Sequence, residues 1–427
     1  MSSLTYYILL AVAVLALVDY IPRLIIKTKR HTAMVSGRGR TPDYKIIPTV
    51  YGDISYLQNI EFLRKYKNSV LIATSKFESD KFYSDLERVC SDEGFSYIRV
   101  DVPVASNGIP VRNAYTIYAG VFRDLANSNI RPNTTCLLID ADTYSLENVN
   151  DLIRAYRNSK HHIASLRCEV DNPVTVVQKL QALEYRTAMD NRLMDTWLTS
   201  GACNIANADT YQKIFDRHSS YFAGGDIEIG KIAAVMGMNV GHINFTFYTA
   251  APDTWRDWFM QRIIWFAGGF RHHVTNIGSF GWYHFFMLFY NSLIIYLLLP
   301  LRWLEMIHVP QLFVVLIFIS YIYLFLFVTG RTWKREYFLL PFYSAVQSMI
   351  ILPIAIYRYF TYVYKQRSFG ILRYNLKRFS IADRLNFAVL NTGSASMVVV
   401  LAILLTGDRI GYWAENSWII HMLGTFL

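Results

Sequence analysis

Long apolar stretches in the last third of the chain constrain its fold more than any other feature. Residues about 281–300, 311–329, 338–357 and 386–406 each approach the roughly 20 residues needed to cross a bilayer. A chain carrying them is not an ordinary soluble globule. It is not all membrane either. Of its 427 residues 53% are hydrophobic, yet 17% are charged, and the mean hydropathy is only +0.21. A mixed chain is expected, part soluble and part spanning.

The first residues, MSSLTYYILLAVAVLALVDYIPRLII, add a further apolar stretch over 1–26. No positive charge precedes it, as one would in a signal peptide. Its charges follow instead: Arg23, Lys27, Lys29, Arg30, Arg38 and Arg40. This predicts a single span with the N-terminus outside and the next domain in the cytoplasm. The net charge of +10 fits the anionic inner face of a membrane, because basic residues cluster beside apolar stretches. Cys90, Cys136, Cys168 and Cys203 form no C-x-x-C pair and predict neither a disulfide frame nor a zinc site.

Residues 45–250 alternate strand-like and helix-like stretches. KIIPTVYG, SVLIATS, SYIRVDVP, CLLID and HHIASLRCEV read as strands. FYSDLERVCSDEG and VRNAYTIYAGVFRDLANSN read as helices, the first stopping at Gly94. Strands and helices alternating at this spacing predict an α/β domain with a mostly parallel sheet, whose ligands sit beyond the carboxyl ends of the strands. Residues 251–278 mix Trp255, Trp258, Phe259 and Trp265 with Arg256, Arg262 and Arg271, the pattern of an amphipathic interface helix. Nucleic-acid binding uses similar ingredients, but the position just before an apolar stretch excludes it as the expected partner. His272 and His273 are adjacent and do not share a helix face, so they predict no metal pair. The remaining 279–427 reads as a C-terminal transmembrane region. Basic residues on both sides of 338–357 suggest an interfacial or re-entrant hairpin there, bent near Pro353.

Within the α/β region, LLIDADTYS ends an apolar run on Asp140 and Asp142. Two carboxylates one residue apart can hold Mg²⁺ or Mn²⁺ with help from a substrate phosphate. They can equally be a turn after a strand. Further along come SGACNIAN with Ser200 and Gly201, then GGDIEIG with Asp226, then QRIIW with Gln261 and Trp265. Taken singly, Asp226 could cap a helix and Trp265 could anchor an interface.

In this order the motifs resemble the membrane-embedded family 2 glycosyltransferases, the group of cellulose, chitin and hyaluronan synthases, over roughly residues 45–330. The resemblance implies a GT-A-like cytoplasmic domain between an N-terminal transmembrane helix and a C-terminal helical membrane region. It implies an inverting transfer from a nucleotide-diphosphate sugar, UDP-linked by resemblance, extending a β-linked polysaccharide and passing it across the membrane. A single transfer to a membrane lipid is the alternative, and an inactive scaffold a third reading. By resemblance, Asp140 and Asp142 bind Mg²⁺ or Mn²⁺ and the diphosphate, and Asp226 is the base. Trp265 and Gln261, with Ser200 and Gly201, face the acceptor glycan or lipid. Gln181, Glu184 and Tyr185 fall where the family often has a Q-x-x-E-Y helix. Thr49, Thr74 and Arg112 stand in for the usual nucleotide-binding motifs, and Arg262 is assigned to the diphosphate. Three departures stand out: Gly225 replaces the acidic residue before the base, Ile264 replaces the Arg before the Trp, and PTVYGD replaces the usual opening motif.

Overall fold

The computed structural model describes residues 41–105, 107–194, 199–220, 224–269 and 334–366. The apolar stretches 1–26, 281–300, 311–329 and 386–406 lie outside the described residues.

Seven strands form one sheet: β1 (Tyr44–Thr49), β2 (Leu71–Ser75), β3 (Ser96–Val100), β4 (Thr135–Asp140), β5 (Ile163–Val170), β6 (Cys203–Asn207) and β7 (Val240–Thr249). Their order is β3-β2-β1-β4-β6-β5-β7. All pairings are parallel except those of β6, which runs antiparallel to both β4 and β5. The architecture is a GT-A-like α/β domain. The five strands anticipated above are all present. β6 and β7 were not anticipated; β6 follows directly on Ser200–Ala202, and β7 follows the helix that begins at Gly225.

Alternation along β1 and β4 divides the core. Ile47 and Leu138 face one side, with Ile117, Phe122, Tyr211 and Ile229. Ile46, Leu137 and Ile139 face the other, with Phe82, Leu86, Leu152 and Ile153. The helices covering these faces are α1 (Ile60–Arg64), α2 (Asp80–Glu93), α3 (Ala114–Arg123), α4 (Val149–Asn158), α5 (Val176–Met194), α6 (Ala208–Phe215) and α7 (Gly225–Val235). Their ends follow local chemistry. Ser79 caps α2, whose chain leaves at Gly94 with φ of 71°, a left-handed conformation that glycine adopts without strain. Asn113 and Thr116 form a reciprocal capping box that starts α3.

After β7, a helix α8 covers 255–269. Its inner face, Trp258, Ile263 and Ala267, packs on Val177 and Leu180 of α5. The stretch 338–357 joins this cluster. It forms a 3-10 turn (Arg335–Leu339), α9 (Leu340–Val346), a π-helical turn (Gln347–Ile351) and α10 (Leu352–Gln366). Tyr343, Ile351, Ala355 and Tyr359 are buried against α5 and α8. The expected hairpin near Pro353 is absent. Pro353 is the second residue of α10, and the missing N–H and ring clash that a proline brings are absorbed by the π-helical turn before it. Among the described residues no helix is long and apolar enough to cross a membrane.

Candidate active site

The carboxyl ends of β1 and β4 lie side by side, with Thr49 in register with Asp140. The Asp140 N–H donates to the Ala202 carbonyl at 3.1 Å, which ties the end of β4 to the start of β6. Asn59, buried beneath, donates from Nδ2 to the carbonyls of Asp140 (3.1 Å) and Thr143 (2.7 Å). The backbone N–H groups of Gln58 and Asn59 both donate to the Ala141 carbonyl. The D-x-D turn is therefore held from below at three carbonyls, and the two carboxylates are presented as a rigid pair.

Asp142 Oδ1 accepts from the hydroxyls of Thr143 and Thr249, each at 3.2 Å. Burial is the chief force raising its carboxyl pKa. Asp140 is pushed up to about 8, first by burial, then by the neighbouring charges of Asp142 and Asp226. Carboxylates crowded this way favour a cation between them. The donor set is hard oxygen and fits Mg²⁺ or Mn²⁺. Among the described residues no three His, Cys, Asp or Glu side chains come together to hold a metal. An ion at Asp140 and Asp142 would therefore draw further ligands from a bound diphosphate or water.

Asp226 is the second residue of α7, in the first turn, where the helix dipole favours a negative charge. It is not the residue before the helix, as a simple cap would be. Thr199 donates its hydroxyl to the Asp226 carbonyl. Gly201 leaves room for the carboxylate: a Cβ there would sit 3.1 Å from Asp226 Oδ2. Ser200 is buried, and its carbonyl accepts from the Asn204 side chain at 3.0 Å. Of the two small residues, Gly201 borders Asp226 while Ser200 supports the turn.

Helix α8 is brought to this place by a backbone contact. Gly224, with φ of +81°, lies so close to Gly268 that a Cβ would be 2.9 Å from the Gly268 carbonyl carbon. The loop before Asp226 thus rests directly on the helix bearing Gln261 and Trp265. Trp265 remains 43% exposed. Its ring lies against Tyr185 at 5.9 Å between centroids, and the Arg262 guanidinium sits over it at 4.1 Å. Arg262 itself is buried, with its side chain 1% exposed. It donates to Glu184 Oε2 at 2.7 Å and to Gln261 Oε1 at 2.9 Å. Glu184 also accepts from Tyr343 at 2.5 Å, and Trp258 donates to the Tyr343 hydroxyl at 2.7 Å. The structure therefore gives Arg262 to a buried ion pair joining α5, α8 and α9.

The strand-end residues assigned to the nucleotide divide differently. Thr49 is buried at the end of β1, where it hydrogen-bonds Tyr118. Thr74 is fully buried, and its hydroxyl finds no hydrogen-bond partner among the described residues. Next to the end of β2 lies Glu78, which sequence reasoning did not single out. Its side chain is 1% exposed. It accepts from the Gly52 N–H (2.9 Å), the Ser75 hydroxyl (2.7 Å) and Arg112 (2.8 Å). Arg112 is thereby fixed beside Tyr51, whose pKa burial raises, with Asp140 and Glu78 adding to the shift. The available signal was a lone acidic residue three positions beyond the strand, too common to single out.

The model of the family described as "Glycosyl transferase family group 2" matches residues 136–329 of this chain. The matched stretch, a little under half of the chain, contains Asp140, Asp142, Asp226 and the Gln261–Trp265 segment. No curated protein matches the chain in sequence. One similar solved structure is a putative glucose-1-phosphate thymidylyltransferase from Bacillus anthracis in complex with a sucrose. It is 12% identical, with a TM-score of 0.31, covering 51% of this chain and 94% of that one. At that score the likeness supports no further step.

Proposed function

We propose that this chain, a glycosyltransferase with a family 2 domain, transfers a sugar with inversion from a nucleotide-diphosphate donor, UDP-linked, to a growing β-linked glycan at a membrane. The observation that carries the proposal is the convergence of Asp140, Asp142 and Asp226 at the carboxyl end of the central strand β4, with Trp265 held nearby through Gly224 and Gly268.

Asp140 and Asp142 would hold Mg²⁺ or Mn²⁺, which supplies charge neutralisation to the departing diphosphate. Arg112, anchored by Glu78 beside Tyr51, would face the nucleotide. The Asp226 carboxylate takes the proton from the attacking acceptor hydroxyl as the new C–O bond forms. The exposed face of Trp265 offers a flat apolar platform for a sugar ring. The exposed Trp255, Met260, Phe338, Phe342, Tyr357 and Phe360, together with the apolar segments of the sequence, support a multi-pass membrane setting with a cytoplasmic catalytic domain, residues 45–250. In this reading the product passes through the C-terminal region, 279–427.

A second reading is transfer of one sugar to a membrane lipid. Ile264, where the resemblance expects Arg, is 39% exposed beside Trp265, and this apolar pair also suits a lipid acceptor. Detergent-purified protein with Mn²⁺ or Mg²⁺, screened against UDP- and GDP-sugars for nucleotide release and product size, tests both. Metal-dependent release with a high-mass, glycosidase-sensitive product is expected. A lipid-soluble product alone would select the second reading. Unchanged turnover in both Asp142→Asn and Asp226→Asn would overturn the site.

A further inference from the structure

The family pattern places an acidic residue before the base, and here Gly225 occupies that position. The structure shows what fills the space. A Cβ on Gly225 would lie 2.5 Å from Tyr115 Cγ and 2.7 and 2.8 Å from its two Cδ atoms. No side chain fits there while the Tyr115 ring remains in place. The backbone itself is permissive, since Gly225 is not among the glycines with positive φ.

Tyr115, in the first turn of α3, is held on its other face by His218, stacked at 5.6 Å with planes 20° apart. His218 Nδ1 accepts from the Ser220 N–H at 2.9 Å, so the ring proton sits on Nε2. That nitrogen donates to the Gly225 carbonyl at 2.9 Å. His218 is fully buried. The Tyr115 hydroxyl is hydrogen-bonded to the Asp226 backbone and faces the charges of Asp226 and Asp140. It lies 3.4 Å from the Cβ position of Gly201, whose other close neighbour is Asp226 Oδ2. Gly201, Gly225 and Tyr115 therefore enclose one small volume around the Asp226 carboxylate.

We infer that Tyr115 is a positioning residue for Asp226: its ring takes the volume that a side chain at 225 would fill, and its hydroxyl holds the Asp226 backbone at the start of α7. The inference rests on the reading of Asp226 as the base. A carboxylate displaced by a fraction of an ångström from an attacking hydroxyl loses rate without losing donor affinity. Tyr115 thus governs turnover, while Asp140 and Asp142 govern donor binding.

The test uses the full chain in detergent, with the nucleotide-sugar that the donor screen selects. Four variants are compared: Asp226→Asn, Tyr115→Phe, Gly225→Glu, and the pair Tyr115→Ala with Gly225→Glu. Tyr115→Phe keeps the ring and should lower kcat on the order of 10- to 100-fold with donor KM within twofold. Gly225→Glu should lose at least as much. Adding Tyr115→Ala empties the volume and should restore kcat roughly 10-fold above Gly225→Glu alone, whereas a merely structural role predicts further loss. Wild-type kcat in Tyr115→Phe, or full activity in Gly225→Glu, would overturn the inference while Asp226→Asn stays inactive. An active Asp226→Asn would instead remove the base assignment.

Discussion

Glu184→Gln tests the ion pair under Trp265 most directly, because the two partners are unequally buried. Arg262 is 1% exposed at its side chain and Glu184 is 30% exposed. Removing one partner of a fully buried pair costs about 3–5 kcal/mol, since the remaining charge is stranded. Here water reaches Glu184, and the Tyr343 hydroxyl can still donate to an amide oxygen, so roughly 2 kcal/mol is expected for Glu184→Gln. The reverse change, Arg262→Met, leaves the charge on the wetter partner. It should cost about 1 kcal/mol, including the lost contact over Trp265. Followed by intrinsic fluorescence on heating, Glu184→Gln should lower the unfolding midpoint by about 4–8 °C and Arg262→Met by about half that. An Arg262→Met midpoint as low as, or lower than, that of Glu184→Gln would refute the assignment of the stranded charge to Arg262.

Lys231, buried in α7, has its pKa lowered to about 7, by burial against a smaller opposing effect of Glu228. The unfolded chain keeps that proton to about 10.5, so it binds more protons than the native state across the window between, and stability should rise with pH there. Unfolding midpoints from pH 7 to 10 should show the rise, and Lys231→Met should flatten it. Gly224→Ala places a methyl against Gly268 at positive φ and should cost at least about 1–2 kcal/mol; an unchanged midpoint would argue against the close approach. Trp265→Ala should shorten the product or raise the acceptor KM several-fold with nucleotide binding intact, as measured by gel sizing and donor titration.

The parallel half of the sheet was legible because its strands are short apolar runs flanked by polar turns, as in CLLI before Asp140. β6 was not, because Cys203, Asn204 and Asn207 break the apolar pattern. Asn204 is tolerated inside only because Tyr211 donates to its carbonyl oxygen at 2.6 Å and its own amide reaches Ser200, partners 4 and 7 residues away that no pattern announces. The carboxylates of the candidate site could be found from motif order alone. Their supports could not. Asn59 lies 81 residues before Asp140 in sequence, and Tyr115 meets Gly225 only through the packing of α3 on α7. Thr74 lies in a strand whose five residues are all buried, and Glu78, three positions beyond that strand, reaches Gly52, Ser75 and Arg112 across loops that no local pattern announces.

The Gly224–Gly268 contact also makes this region intolerant of changes in chain length. An α-helix advances about 1.5 Å and turns about 100° per residue. Adding or deleting one residue between Thr249 and Trp255 would move Gly268 away from Gly224 and bring Ala267 or Gly269 toward it. The same shift would rotate Trp265 off Tyr185 and carry Arg262 away from Glu184. Point substitutions on the outer face of α8 should be absorbed, whereas a single-residue insertion ahead of it would misalign the platform and the base together. The length of that connection, more than its composition, is what this arrangement constrains.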